Sequence, residues 1–450
     1  MSLDGGALAT QDRGAAPMYW RTFLALGLCL FVLGSMRASV DAQHSGAFMG
    51  SSDDPAIRYS TKELHNAVVE VNEKLQDGAV QFTFDGRSGF LASALVALQI
   101  PVDSQLLVFS GASLQGRRIN EQNPRALFFN DRVALGWVRG GDVLEVAAHD
   151  ESAGVAFYTL EQRADLTTGP PQFKRAFVCL GCHVTGNTLG VPGLLMFSTT
   201  RPEPPRFSGL PRPIDHGDPL RQRFGGWFVT GGTGSAQHMG NAVTALGGRT
   251  NRELVSVEGL FDTDGYRALS SDIVAHLVLT HQAGMTNHLT RAGWEARAAD
   301  PSLHPTFTST PGQEARIAAV MSGVATEVVD YLLFIDEAKL TDRVRGGSGF
   351  AERFSASGPR DRKGRSLYEL DLSRRLMKYP CSYLIYSPAF DALPPLAKEP
   401  IYRRMWEVLS GQEQDPRYQS VLSHADRQAI VEILRDTKKD LPRYFQKVTR

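Results

Sequence analysis

The sequence predicts an α+β fold, an antiparallel β-rich N-terminal lobe followed by a mainly helical region. Two observations carry this. Between residues 105 and 162 five runs alternate apolar and polar residues, with turn formers between them. Beyond residue 270 the apolar residues recur at three and four instead. A chain of 450 residues has room for two or three domains of ordinary size. Its composition, 42% hydrophobic and 21% charged, is that of a globular protein. Lys+Arg and Asp+Glu both number 48, so no net basic field marks nucleic acid as a primary partner.

The elements follow in order. After Arg21, residues 22–36 (TFLALGLCLFVLGSM) form an uncharged apolar run, closed by Arg37 and a Val40-x-Ala42 site of small residues. The run is short for a bilayer span and reads as a secretory signal, residues 1–42, cleaved after Ala42. The expected location is therefore the periplasm, with an uncleaved membrane anchor as the alternative. The stretch before the run is long and holds Asp4 and Asp12, so translation from Met18 is an alternative start. Cys29 lies inside the apolar run with no lipobox before it.

Residues 43–60 read as a polar linker, and 61–168 as the β-rich lobe. Within that lobe, 61–78 reads as an amphipathic helix, 80–84 as a short strand and 91–98 as a helix. Five strands are expected from QLLVFS, RALFFND, VALGWVRGG, DVLEVAAHD and GVAFYTLEQ. Residues 169–268 are loop-rich, with a Pro/Arg stretch at 201–213 expected over the surface. From 269 to 450 the pattern is helical: 270–300 behind a Ser cap, 312–338, short helices near 372–377 and 402–409, and a last one from 424.

Chemistry concentrates in FVCLGCHVTGN, which places Cys179, Cys182 and His183 within five residues. Covalent haem attachment needs two thiols about one helical turn apart and an imidazole directly after them. A chance CxxCH is expected on the order of once in a thousand chains with so few Cys and His. Structural zinc needs two further ligands. His276 and His281 alone come near, and on a continuous helix they point about 140° apart. A thioredoxin-type pair belongs between a strand and a helix, whereas HVTGNTLGVPG follows here. The motif therefore reads as one covalent haem c with His183 as proximal ligand. The helical region is then expected to complete a cytochrome c-like haem domain with long insertions, its last helix crossing the attachment helix. Pro192 is the expected carbonyl acceptor for the His183 Nδ1–H.

For the sixth position of the iron, Met196 lies too close behind the loop and reads as core. His216 and His238, the latter beside Met239, bracket a Gly-Gly-Trp strand. On the helix from 270, His281, Met285 and His288 share a side, which reads equally as a half-buried helix face. Arg221, Arg223 and Trp227 are candidates to hold the haem propionates.

CLGCHVTGNTLGVPG, DHGDPLRQRFGGWFVTGG, QHMGN and YPCSYLIYSPAFDALP together resemble a family of exported bacterial single-haem cytochrome c domain-containing proteins. The similarity runs from near Ala126 to the C-terminus. In that family the segments read roughly TDH-x-SP, RWGGWYVTG-x-HG and RHMGN. The resemblance implies that His216 and His238 are motif histidines, with His216 the expected distal ligand and His238 the second choice. A third family histidine falls at Thr233, and Val usually stands where Met196 does. The resemblance brings no activity with it.

P-loop, GxGxxG, HExxH and GxSxG patterns are missing from the sequence. Cys381, in YPCSYLIYS, reads as a buried free thiol. The expected function is electron transfer through haem c, with a redox partner protein or a small-molecule donor or acceptor. The alternatives are a peroxidase-type enzyme with an open distal site and a haem-based sensor.

Overall fold

The computed structural model describes residues 47–164, 169–199, 211–248, 253–304 and 310–446. The expected signal segment lies outside them. The expected linker does not: Phe48, Ile57 and Tyr59 are buried, and the Tyr59 hydroxyl donates to the Val155 carbonyl at 2.8 Å. Residues 47–60 are thus packed chain, anchored by three large side chains that a reading of polarity alone passes over.

Helix α1 (Ala67–Gln76) starts where the Asn66 side chain accepts from Val68 N and Val69 N, which shortens the expected helix at its front. Helix α2 (Leu91–Ala97) follows. Residues 80–84 join neither sheet. Instead Phe82 and Phe84 pack on Phe90, and Thr83 N donates to Ser93 Oγ.

The strands β1 (Leu106–Val108), β2 (Arg125–Phe129), β3 (Val133–Trp137), β4 (Val143–Asp150) and β5 (Gly154–Glu161) form the antiparallel meander that the alternation predicts. The two-residue β6 (Lys174–Arg175) adds to one edge. One sheet face packs on α1 and α2 through Val68, Val71, Leu91, Phe128, Leu135, Val146 and Tyr158. The other carries Arg125, Leu127, Gly136, Glu145, Ala147 and Phe157, of which Ala147 and Phe157 pack against the motif segment.

That segment contains α3 (Leu180–His183), a single turn. Strands β7 (Met196–Thr199) and β8 (Pro211–Ile214) form a separate pair. Strand β9 (Trp227–Phe228) then returns to pair with β1, so the sheet has seven strands in the order β6-β5-β4-β3-β2-β1-β9. The region beyond residue 168 therefore completes the sheet of the preceding one.

Helix α4 (Ile273–Ala299) is buried along nearly its whole length. Its cap is Asp272, not the expected serine. The Asp272 carboxylate accepts from Val274 N at 2.8 Å, and its other oxygen accepts from Gly347 N, Ser348 N and Ser348 Oγ at 2.8–2.9 Å. A buried carboxylate is tolerated there because both of its oxygens accept hydrogen bonds and the helix N-terminus favours negative charge. Helices α5 (Pro311–Leu332), α6 (Phe350–Ala356), α7 (Pro388–Asp391), α8 (Pro395–Ser410), α9 (Pro416–Val421) and α10 (His424–Thr437) complete the chain. The helix expected at 372–377 is replaced by a turn. Asp371 accepts from Ser373 N and Arg374 N, Leu372 takes φ 60°, and Leu370 bridges Met377.

The last helix, α10, packs on α8, whereas α3 sits on β5 through Phe157, Cys179 and Leu180. A cytochrome-like crossing of α3 and α10 is not among the stronger contacts of the described residues, and one turn of helix offers little surface for it. Among the described residues no helix is long and apolar enough to cross a membrane.

Replacing Asp272 by Ala removes all four of those acceptor contacts. It is expected to cost about 3 kcal/mol of unfolding free energy, measurable by urea denaturation.

Candidate haem site

The site begins with one imidazole and one glycine. His183 Nδ1 donates to the Gly193 carbonyl at 2.8 Å, while Gly193 N donates to the His183 carbonyl at 3.0 Å. An acceptor at Nδ1 fixes the proton there and leaves the lone pair on Nε2. Nε2 has no hydrogen-bond partner among the described residues. Burial holds the imidazole pKa below its ordinary value, with the Gly193 bond working against it. The ring is therefore neutral at pH 7, as a metal ligand must be. The Phe157 ring supports it at 4.6 Å.

Pro192 is not the acceptor. Its carbonyl faces the other way and accepts from Val155 N at 3.4 Å, joining the loop to the start of β5. The reach from His183 is one residue longer than expected.

Gly193 is itself held from α4. The Asn287 side chain accepts from Leu194 N at 2.8 Å and donates to the Leu194 carbonyl at 2.9 Å. A Cβ on Gly193 would stand 2.3 Å from Asn287 Oδ1, so only glycine allows this approach. Neither Asn287 nor this role of Gly193 was marked by sequence. The available signal was an amide at a buried position of a long helix, one of two with Gln282.

Both motif cysteines are free thiols; Cys182 is exposed and Cys179 half-buried. Burial raises the Cys179 pKa, so it remains a thiol. The flanking Phe177, Val178 and Val184 are 46%, 68% and 37% exposed. Apolar side chains this open, together with two thiols one turn apart and an unengaged imidazole nitrogen, match what a thioether-linked porphyrin needs. Cys179, Cys182 and His183 would hold it.

The other expected residues are placed elsewhere. His216 is 3% exposed and its Nδ1 lies 2.9 Å from His281 Nδ1. Its ring stacks on Tyr331 at 3.9 Å, and His281 Nε2 lies 2.8 Å from Ser382 Oγ. On α4, His281, Gly284 and His288 share the side that meets Tyr331 of α5. Asn287, Thr290 and Trp294 lie about 120° round the helix, against Leu194, Gly154 and Ala153. His216 thus packs on a different face of α4 from the loop that holds His183, with its Nδ1 engaged by His281. His216 is not positioned as the distal ligand.

His238 is buried, its Nδ1 accepting from Gly240 N at 3.0 Å, and it borders His276. His276 lies eleven residues before Asn287, about 16 Å along α4, so His238 is also remote from His183. Met196 and Met285 are core.

Arg223 Nε and Nη2 donate to the carbonyls of Asp218 and His216, both at 2.6 Å. Trp227 Nε1 donates to the Phe197 carbonyl at 2.7 Å. These donors hold backbone, so neither residue is available to a propionate, and Arg221 is exposed on the same remote loop. Cys381 is fully buried, and burial pushes its pKa up.

No protein-family model, curated protein or solved structure matches this chain.

Two expectations arise here. Asn287→Ala leaves the Leu194 N–H and carbonyl without partners and is expected to cost about 2–3 kcal/mol, read by chemical denaturation. Burial also depresses the pKa of His281, to about 3. A folded-state value below the unfolded one of about 6.5 means that the unfolded chain binds the extra proton. Stability from this group is complete above pH 6.5 and is lost as pH falls toward the folded value. Glu337, raised to about 7 by burial, works in the opposite sense between its ordinary range and pH 7. The comparison with His281→Asn isolates the histidine: between pH 6.5 and 4.5 the variant should lose ~1.4 kcal/mol less per pH unit than wild type.

Proposed function

We propose that the chain is an exported haem protein of the c type that transfers electrons. One haem c is held by Cys179 and Cys182 through thioethers and by His183 Nε2. The observation that carries this reading is the His183–Gly193 bond, which leaves Nε2 uncommitted on a half-buried imidazole beside two free cysteines. When bound, the haem supplies reversible one-electron chemistry at iron. The chain's own contribution is orientation: Gly193 fixes the tautomer, Asn287 fixes the loop that carries Gly193, and Phe157 stops the ring from turning. The electrons would pass to or from a redox partner protein or a small-molecule donor or acceptor. The resemblance of the motif segments to exported single-haem proteins, and the signal-like leader, support a periplasmic setting.

A second reading, a peroxidase-type enzyme with an open distal site, is favoured by the placement of His216 and His238 away from His183. A sensor that binds a small ligand shares that requirement.

Absorption spectra of the purified protein separate these readings. Low-spin bands unchanged by carbon monoxide in the reduced state support electron transfer, with a distal ligand other than the two histidines. A carbon monoxide adduct supports the second reading, and peroxide turnover then separates enzyme from sensor. In either case His216→Ala and His238→Ala should leave the haem bands of the folded protein unchanged, while His183→Ala should shift them. Purified protein without haem bands would overturn both readings.

A further inference from the structure

The sheet face beneath the motif carries one charged pair. Glu145 on β4 pairs with Gly136 on β3, and Gly136 pairs in turn with Leu127 on β2, two residues beyond Arg125. A Cβ on Gly136 would stand 2.2 Å from Arg125 Nη2 and 2.5 Å from its Nε. The guanidinium therefore lies flat over bare backbone, and any side chain at 136 would displace it. From there Arg125 Nη2 reaches Glu145 Oε2 at 2.5 Å.

The acceptor side of this pair is well supplied. Glu145 also accepts from Ser113 Oγ at 3.0 and 3.2 Å and from Gln115 Nε2 at 3.1 Å. The donor side is not: Arg125 Nε is buried with no acceptor. A charged N–H left without a partner is costly, and although Arg175, Arg291, Arg375 and Arg404 each carry one as well, Arg125 is the one on the sheet face that bears the motif.

Its location relates that donor to the motif. Ala147 stands two residues beyond Glu145 on the same face, about 6.8 Å along the strand. It packs in the cluster that contains Cys179 and Leu180. Both Arg125 and Glu145 act electrostatically on Cys179 and on His183. Arg175, the other arginine nearby, also has a buried guanidinium nitrogen without an acceptor, Nη2, but it lies at the sheet edge between aromatic rings, its guanidinium 5.1 Å from the Tyr59 ring and 4.8 Å from the Phe177 ring.

We propose that Arg125 binds a carboxylate of the prosthetic group, a haem propionate, through an N–H that Glu145 does not use. Arg125 takes the role that the sequence suggested for Arg221 and Arg223. The inference rests on the haem reading above. Gly136 is the positioning residue that keeps the guanidinium in place.

The test measures haem content and midpoint potential from pH 5 to 9 in the exported full-length protein, comparing wild type with Arg125→Gln, Arg125→Lys and Gly136→Ala. Loss of the guanidinium leaves Glu145 and the propionate without a counter-charge, which favours ferric iron. Arg125→Gln should lower the potential at pH 7. It should also introduce a rise in potential toward acid pH, as a carboxylate with a raised pKa takes up its proton. Gly136→Ala should shift both in the same direction by less, and Arg125→Lys should lie between wild type and Arg125→Gln. If Arg125→Gln does not accumulate with haem, Gly136→Ala decides. Haem-loaded variants that match wild type in potential at every pH would overturn the assignment of Arg125. Wild type without covalent haem would overturn the haem reading instead.

Discussion

The arrangement depends on a short relay of hydrogen bonds from helix α4 to one imidazole. Asn287 grips both backbone groups of Leu194, and the adjoining Gly193 grips both the carbonyl and the ring of His183. Helix α3, which carries His183, is one turn long and cannot hold an orientation by itself. It acquires one because its histidine is tied, through two residues, to the longest buried helix of the molecule. That helix is held at its own start by the fully satisfied carboxylate of Asp272. The preorganisation of His183 is thus a property of the whole core.

The same helix separates two chemically different regions. On its sheet side lie Asn287, Thr290 and Trp294, with the motif beyond them. On another face His216, His281 and His288 surround Tyr331 in a close-packed, neutral cluster. Burial keeps these rings uncharged, and their stacking on aromatic side chains gives them a packing role. Their abundance in a chain of only 11 histidines invites a ligand assignment. The geometry places that cluster on a different face of the helix from the loop that holds His183.

Much of the architecture was legible in the sequence because period-two and period-3.6 patterns are local. The β2–β5 meander and helices α4 and α5 fall where the alternation and the helical spacing put them. What failed was non-local. The burial of Phe48 and Tyr59 depends on partners as distant as Val155 and Trp294, and β9 returns to β1 across more than a hundred residues. Within the site, the pentapeptide announces its own chemistry, since the spacing of two thiols and an imidazole is a local matter. The carbonyl at Gly193, the amide of Asn287 and the Arg125–Glu145 pair were silent, because each works only through a neighbour distant in sequence. Arg223 and Trp227 misled for the converse reason: their donors satisfy nearby backbone.

The most direct measurement is mass spectrometry of the peptide spanning residues 177–185, from natively exported protein extracted with acidified acetone. The account predicts a peptide carrying one haem that the solvent does not remove, with neither Cys179 nor Cys182 open to alkylation. A peptide of unmodified mass, with both thiols alkylated, would contradict it.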